Sequence, residues 1–295
     1  MVSSLTSRLI LLAVLLWPVC RTAAEPAETF VYSSGQTGTI LDNAYEWRVL
    51  RAALEHSRAA YGDFRLEAGP AMPDRRQIRV LARGEPPLTV GIFTANEQLE
   101  HQLVPVRIPV ERGLLGYRVL LVRQADVGRF ARVSSLADLR SFRFGLMPVW
   151  DDGPVMRAAD LQVVPGENHD GLFRMLAAGR FDAFSRGATE ILPEYRHASR
   201  EVPGLAVEPH LLLHYPLPVY FWFTPDEAGR RRAVRVEAGL RAMVADGTLQ
   251  AMFEAEYAAL EAHLGLAHRR VIELPNPLLD GHDPLDEAGL WFRPH

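Results

Sequence analysis

The sequence predicts an α/β protein whose mostly parallel sheets are flanked by helices. Two observations carry this. Short apolar strand signals alternate with amphipathic helical stretches from Thr29 onward. The order β-α-β-α-β runs once between Thr29 and Ile92, and the alternation begins again after Tyr117–Arg123. Strands linked in this way pair in parallel and bury both faces under helices.

Each element has its own signal. Thr29 to Tyr32 is an apolar strand, followed by the small polar loop Ser33-Ser34-Gly35-Gln36. Residues 45–61 place Trp47, Leu50, Ala53 and Leu54 at helical spacing. Residues 64–66 alternate as a strand, 74–82 form a short helix, and 88–92 form another strand. Val119-Leu120-Leu121-Val122 is an unbroken apolar run, as expected of a buried strand or of a crossing between two halves. Ser134 and Ser135 cap a short helix ending at Leu139. Residues 142–146 and 161–164 read as strands, with a helix over 153–160 between them. A helix over 170–178 is stopped by Gly179, a strand covers 181–184, and a helix over 188–197 is interrupted by Pro193. Residues 217–223 are the most aromatic strand. Two one-faced helices follow, the first built on Val236, Leu240 and Met243, the second on Leu249, Phe253 and Leu260. From Leu264 the chain is rich in Pro, His and Gly and reads as an irregular tail.

Bulk properties exclude several functions. Met1 to Arg8 is weakly basic, Leu9 to Val19 is apolar, and small residues lead to Ala24, the order of a secretory signal peptide. Cleavage is expected after Ala24, because the apolar run is shorter than the roughly 20 residues of a membrane span. Trp17-Pro18-Val19 before Cys20 does not suit a lipidated cysteine, so Cys20 falls in the leader. The mature chain then has no cysteine for a disulfide, a nucleophile or a metal. It also has no second long apolar segment, so no membrane span is expected in it. A net charge of −4 leaves no basic footprint for nucleic acid. All 32 Lys+Arg residues are Arg, which removes Schiff-base and P-loop chemistry. His210 and His214 flank three leucines beside prolines, and no Glu follows the first of them as a zinc-protease motif requires. No Gly-x-Ser-x-Gly elbow occurs, and Gly35-Gln36-Thr37-Gly38 lacks the third glycine of a dinucleotide loop. No metal and no cofactor are expected.

Three segments, in order, resemble the periplasmic solute-binding proteins of family 3, the amino-acid-binding type. Val133 to Gly145 resembles that family's short helix and strand opening the second lobe. Gly171 to Phe184, containing Leu-Ala-Ala-Gly-Arg-Phe-Asp-Ala, resembles a helix stop passing into a strand. Asp246-Gly247-Thr248 resembles the break between the closing helices. The resemblance covers roughly Phe30 to Leu260. It implies a two-lobed Venus-flytrap, the type II periplasmic binding protein fold, with a signal peptide over 1–24. Lobe 1 would comprise 25–116 and 218–262, lobe 2 would be 117–217, and 263–295 would be a C-terminal tail.

In open α/β sheets, ligands sit beyond the carboxyl ends of strands. That rule selects Ser33, Ser34 and Gln36 after the first strand and Thr94 after the third. It also selects Trp150 and Asp151 before one helix, Asn168 before the next, and Arg186 after the strand ending in Asp182-Ala183-Phe184. Each has a plainer role open to it: a turn for the serines, helix capping for Asp151 and Asn168, an ion pair for Arg186. The family's amino-acid clamp is altered. Glu97 stands where its Arg is expected, and Ser185-Arg186-Gly187 where its Asp is expected. An extracytoplasmic, periplasmic binding protein for a small polar solute is the primary expectation, with Arg186 pointing to an anionic one. Its partner would be a membrane transporter or a sensor. An enzyme resembling cyclohexadienyl dehydratase, or a degenerate relative acting through a protein partner, are the alternatives.

Overall fold

The computed structural model describes residues 27–35, 44–279 and 281–294. The expected leader 1–24, with Cys20, and the loop residue Gln36 lie outside the described residues.

The chain first lays down β1 (Glu28–Ser33), α1 (Tyr45–His56), α2 (Arg58–Tyr61), β2 (Phe64–Gly69), α3 (Asp74–Ala82), β3 (Val90–Thr94), α4 (Glu97–Glu100) and β4 (Val104–Val106). Next come β5 (Tyr117–Arg123), α5 (Val127–Phe130), α6 (Leu136–Leu139), β6 (Arg143–Leu146), α7 (Asp152–Ala158) and β7 (Gln162–Pro165). They are followed by α8 (His169–Ala177), β8 (Ala183–Gly187), α9 (Ile191–Glu201), β9 (Leu205–Val207) and β10 (Leu211–His214). β11 (Val219–Phe223), α10 (Glu227–Ala245), α11 (Thr248–Leu264) and β12 (Arg270–Glu273) complete the order.

Two sheet systems result. In the first, β1 and β2 pair in parallel, while β3 and β4 flank β11 antiparallel to it. Thr89 joins the two parts, its N–H donating to the Val31 carbonyl at 2.9 Å. The second system is one sheet in the order β12-β10-β5-β8-β6-β7, with β9 also on β5. β6 runs parallel to β7 and β8, but β5 is antiparallel to β8, β9 and β10. The sheets are therefore more mixed than expected. β5 and β11 arrive from the other sheet system, not through a β-α-β crossover, so no connection forces them parallel to their neighbours.

Both strands are buried on two faces, as their unbroken apolar runs require. On β11, Phe221 and Phe223 join the core around Phe30 and Trp47, while Tyr220 and Trp222 pack with Leu81, Phe93 and Leu99. On β5, Val119 and Leu121 face one core, Leu120 and Val122 another. Pro193 does not break α9. It is the third residue of that helix, where its missing N–H would have had no partner. The tail is not irregular throughout, because Arg270–Glu273 pairs with β10 and Leu290 and Phe292 are buried. Its strand is only four residues long and alternates weakly, so sequence periodicity does not reveal it.

The two sheet systems are connected at Gly116 and Tyr215. The Tyr215 N–H donates to the Gly116 carbonyl at 3.3 Å, and a Cβ on Gly116 would lie 2.2 Å from the Tyr215 carbonyl oxygen. Only glycine permits this backbone approach. Gly116→Ala is expected to lower stability by about 2 kcal/mol, read as a fall in the thermal unfolding midpoint.

Candidate functional site

Thr94 ends β3 in the first sheet system, and Trp150 and Asp151 lie in the turn between β6 and α7 in the second. The Thr94 hydroxyl donates to Asp151 Oδ2 at 2.7 Å, so the two systems touch through these side chains. Asp151 occupies the N-cap position of α7, yet its side chain makes no capping hydrogen bond. It reaches across to Thr94 instead. Burial raises its carboxyl above the ordinary range, the Thr94 hydrogen bond opposes this, and the Asp152 charge reinforces it.

Asp152 anchors this turn. Its Oδ1 accepts from the Tyr215 hydroxyl at 2.5 Å and pairs with Arg118 Nη2 at 2.7 Å. All three residues are buried. Arg118 comes from β5 and Tyr215 from the segment joining β10 to β11, so the turn is fastened to both connecting segments. Arg118 stays charged despite its burial, because Asp152, then Tyr215 and the more distant Glu190 and Glu194, offset the desolvation.

Arg186 is almost wholly buried and already committed. Its Nε and Nη2 each donate to Glu194 at 2.6 Å, and Nη2 lies 3.1 Å from Glu190. Its guanidinium sits 4.4 Å from the centre of the Trp150 ring, which stacks parallel to Phe184. His169 Nε2 stands 3.3 Å from Glu194, and that neighbouring carboxylate raises the imidazole above its usual value. Arg186 is thus clamped by two carboxylates and an indole.

The other residues named from sequence divide. Asn168 caps α8, accepting from the Gly171 N–H at 2.7 Å. Ser33 fastens the loop after β2, its hydroxyl donating to the Pro70 carbonyl and accepting from the Met72 N–H. Ser34 is buried and donates its N–H to the Gly69 carbonyl. Thr94, Trp150, Asp151 and Arg186 come together along a cavity of about 310 Å³. It shares Asp74, Thr94 and Asp151 with a wider cleft of about 880 Å³, whose walls include Glu46, Arg75, Arg79 and Glu111.

Sequence reasoning missed Glu46, Glu190, Glu194 and Tyr215 as site residues. The four-residue steps Arg186, Glu190, Glu194 were the available signal for two of them. Glu111 lies between β4 and β5, is 9 % exposed, and its Oε2 has no hydrogen-bond donor among the described residues. Its partner is a second carboxyl, Glu46 of α1. Burial first, then the Glu46 charge, pushes Glu111 up to about 8.

No family model matches the chain, and no curated protein matches its sequence. Solved structures do match in shape. An ancestral arginine-binding protein bound to arginine aligns with a TM-score of 0.51 at 17% identity, over 77% of this chain and 97% of that one. The VFT2 domain of Bordetella pertussis BvgS gives 0.53 at 17% identity, over 78% and 93%. An amino acid ABC transporter substrate-binding protein from Streptococcus pneumoniae, bound to L-arginine, gives 0.50 at 16% identity, over 77% and 92%.

Two predictions follow from this geometry. Arg186→Met leaves Glu190 and Glu194 without their cation and should cost roughly 3 kcal/mol, seen as a lower urea midpoint. Glu111 is raised in the folded chain above its ordinary 4.5, so the fold loses stability as pH climbs from there through about 8. Glu111→Gln should therefore raise the melting temperature at pH 9 and leave it nearly unchanged at pH 4.

Sheets, connecting segments and shape together identify the chain as a Venus-flytrap of the type II periplasmic binding protein fold.

Proposed function

We propose that the protein binds a small polar solute between its two lobes, outside the cytoplasm, and passes it to a membrane transporter or reports it to a sensor. Lobe 1 comprises residues 25–116 and 218–262, and lobe 2 comprises 117–217. One observation carries the reading: Thr94 and Asp151, from opposite sides, meet at the wall of a cavity that both sides line. A ligand in that position contacts both lobes and favours closure by the contacts it makes only there. The leader expected over 1–24 accounts for export. Among the described residues, no helix is long and apolar enough to cross a membrane.

Trp150 is the recognition surface, a rigid ring backed by Phe184. Arg186 steadies that ring, and Glu190 and Glu194 offset its charge and take up its Nε and Nη2 donors. This weighs against an anionic solute held at Arg186. A second reading, a lyase on the same fold, has one observation in its favour: Glu111 keeps its proton near neutral pH, as a general acid must. Turnover of a cyclohexadienyl acid would move the account to that reading.

A thermal-shift panel of amino acids, organic acids, phosphates and polyamines tests the proposal. One class should stabilise the chain by mass action, about 2.7 kcal/mol at a hundred times its Kd, and Trp150→Ala should abolish the shift. A flat response across the panel would remove solute binding and leave the partner-only role.

A further inference from the structure

Among the described residues, a carboxyl pair in the cleft lacks a cation partner. Glu46 and Glu111 both line the wider cavity, and Glu111 is buried with an oxygen that finds no donor among the described residues. Two carboxyls facing each other in a poorly hydrated wall are relieved either by a shared proton or by a cation. Among the described residues, no cation forms an ion pair with either carboxyl. Tyr45 gives its hydroxyl to the Val110 carbonyl, and Tyr257 packs edge-on against Tyr45. Arg112, next in sequence, turns away to the Gly289 and Trp291 carbonyls and to the Phe253 ring. Glu190, at the N-cap of α9, adds further negative charge, and Glu256 of α11 pairs with Arg48. Arg75 and Arg79 line the same cleft from α3, where both are exposed.

We infer that the Glu46–Glu111 wall seats a cationic group of the solute, an ammonium or a guanidinium. The inference rests on the solute-binding reading above and narrows it. Seating the cation replaces the proton held by the carboxyl pair, so binding releases one proton and strengthens as pH rises. Glu46, half-buried, offers the accessible oxygens, and Glu111 supplies charge from behind.

The test is titration calorimetry on the full chain, with agmatine and L-arginine as cationic probes and citrate and phosphate as anionic ones. At least one cationic probe should bind, about tenfold tighter at pH 7.5 than at pH 6.5. The heat should vary with buffer ionisation enthalpy as one proton is released. Glu111→Gln, with its folding checked by melting temperature, should weaken the cation at least tenfold at pH 8.5 and abolish the pH dependence. Cation binding that is independent of pH and unchanged in the variant overturns the inference. Binding of anionic probes alone, equal in both proteins, overturns it but leaves solute binding standing. No binding by any probe, joined to a flat thermal-shift panel, removes both.

Discussion

The contact of Arg118 with Asp152 and Tyr215 is the constraint on which the rest of this protein depends. Arg118 belongs to the first connecting segment, Tyr215 to the second, and Asp152 begins the helix after the cleft turn. Separately, each would be a costly buried polar group. Together, a 2.7 Å ion pair and a 2.5 Å hydrogen bond satisfy one another inside the protein. The gain in position matters more than the gain in energy, because buried ion pairs contribute little net stability. Beside the held Asp152, Asp151 leaves its own helix uncapped and reaches Thr94, and Trp150 lies against Phe184.

From that anchor the charge pattern of the cleft becomes intelligible. Arg186 is neutralised by Glu194 and Glu190, and His169 leans on the same Glu194. Cation, indole and carboxylates form one rigid block on the second lobe. The first lobe contributes Thr94 and, deeper in the wider cleft, a carboxyl pair with no cation assigned to it. The wider cleft therefore presents the Glu46–Glu111 carboxyls as well as the exposed Arg75 and Arg79, while Arg186 is already held by its own carboxylates.

Much of the fold was legible in the sequence, for definite physical reasons. β5 and β11 show unbroken apolar runs because both of their faces are buried, and α10 shows a clear apolar face because it packs on one side only. β4, β9 and β12 were not legible, being three or four residues long and set by pairing partners distant in the chain. Within the site, Thr94, Trp150 and Asp151 could be found because strand ends point to the cleft. Asn168 sits at a similar place and merely caps, since a side chain's choice between cap and cleft depends on what stands opposite it. Glu46 and Glu111 are far apart in sequence and carry no local signature, so only the folded chain brings them together.

The central claim is that the cleft turn, fixed by Asp152, holds the two lobes together through Asp151 and Thr94. It is tested most directly by a spin-label distance between Gln98→Cys on α4 and Ala158→Cys on α7, both exposed, with Cys20 replaced by Ser. The account predicts one narrow distance distribution that lengthens and broadens when Thr94 becomes Val. A distribution unaltered by that substitution would contradict it.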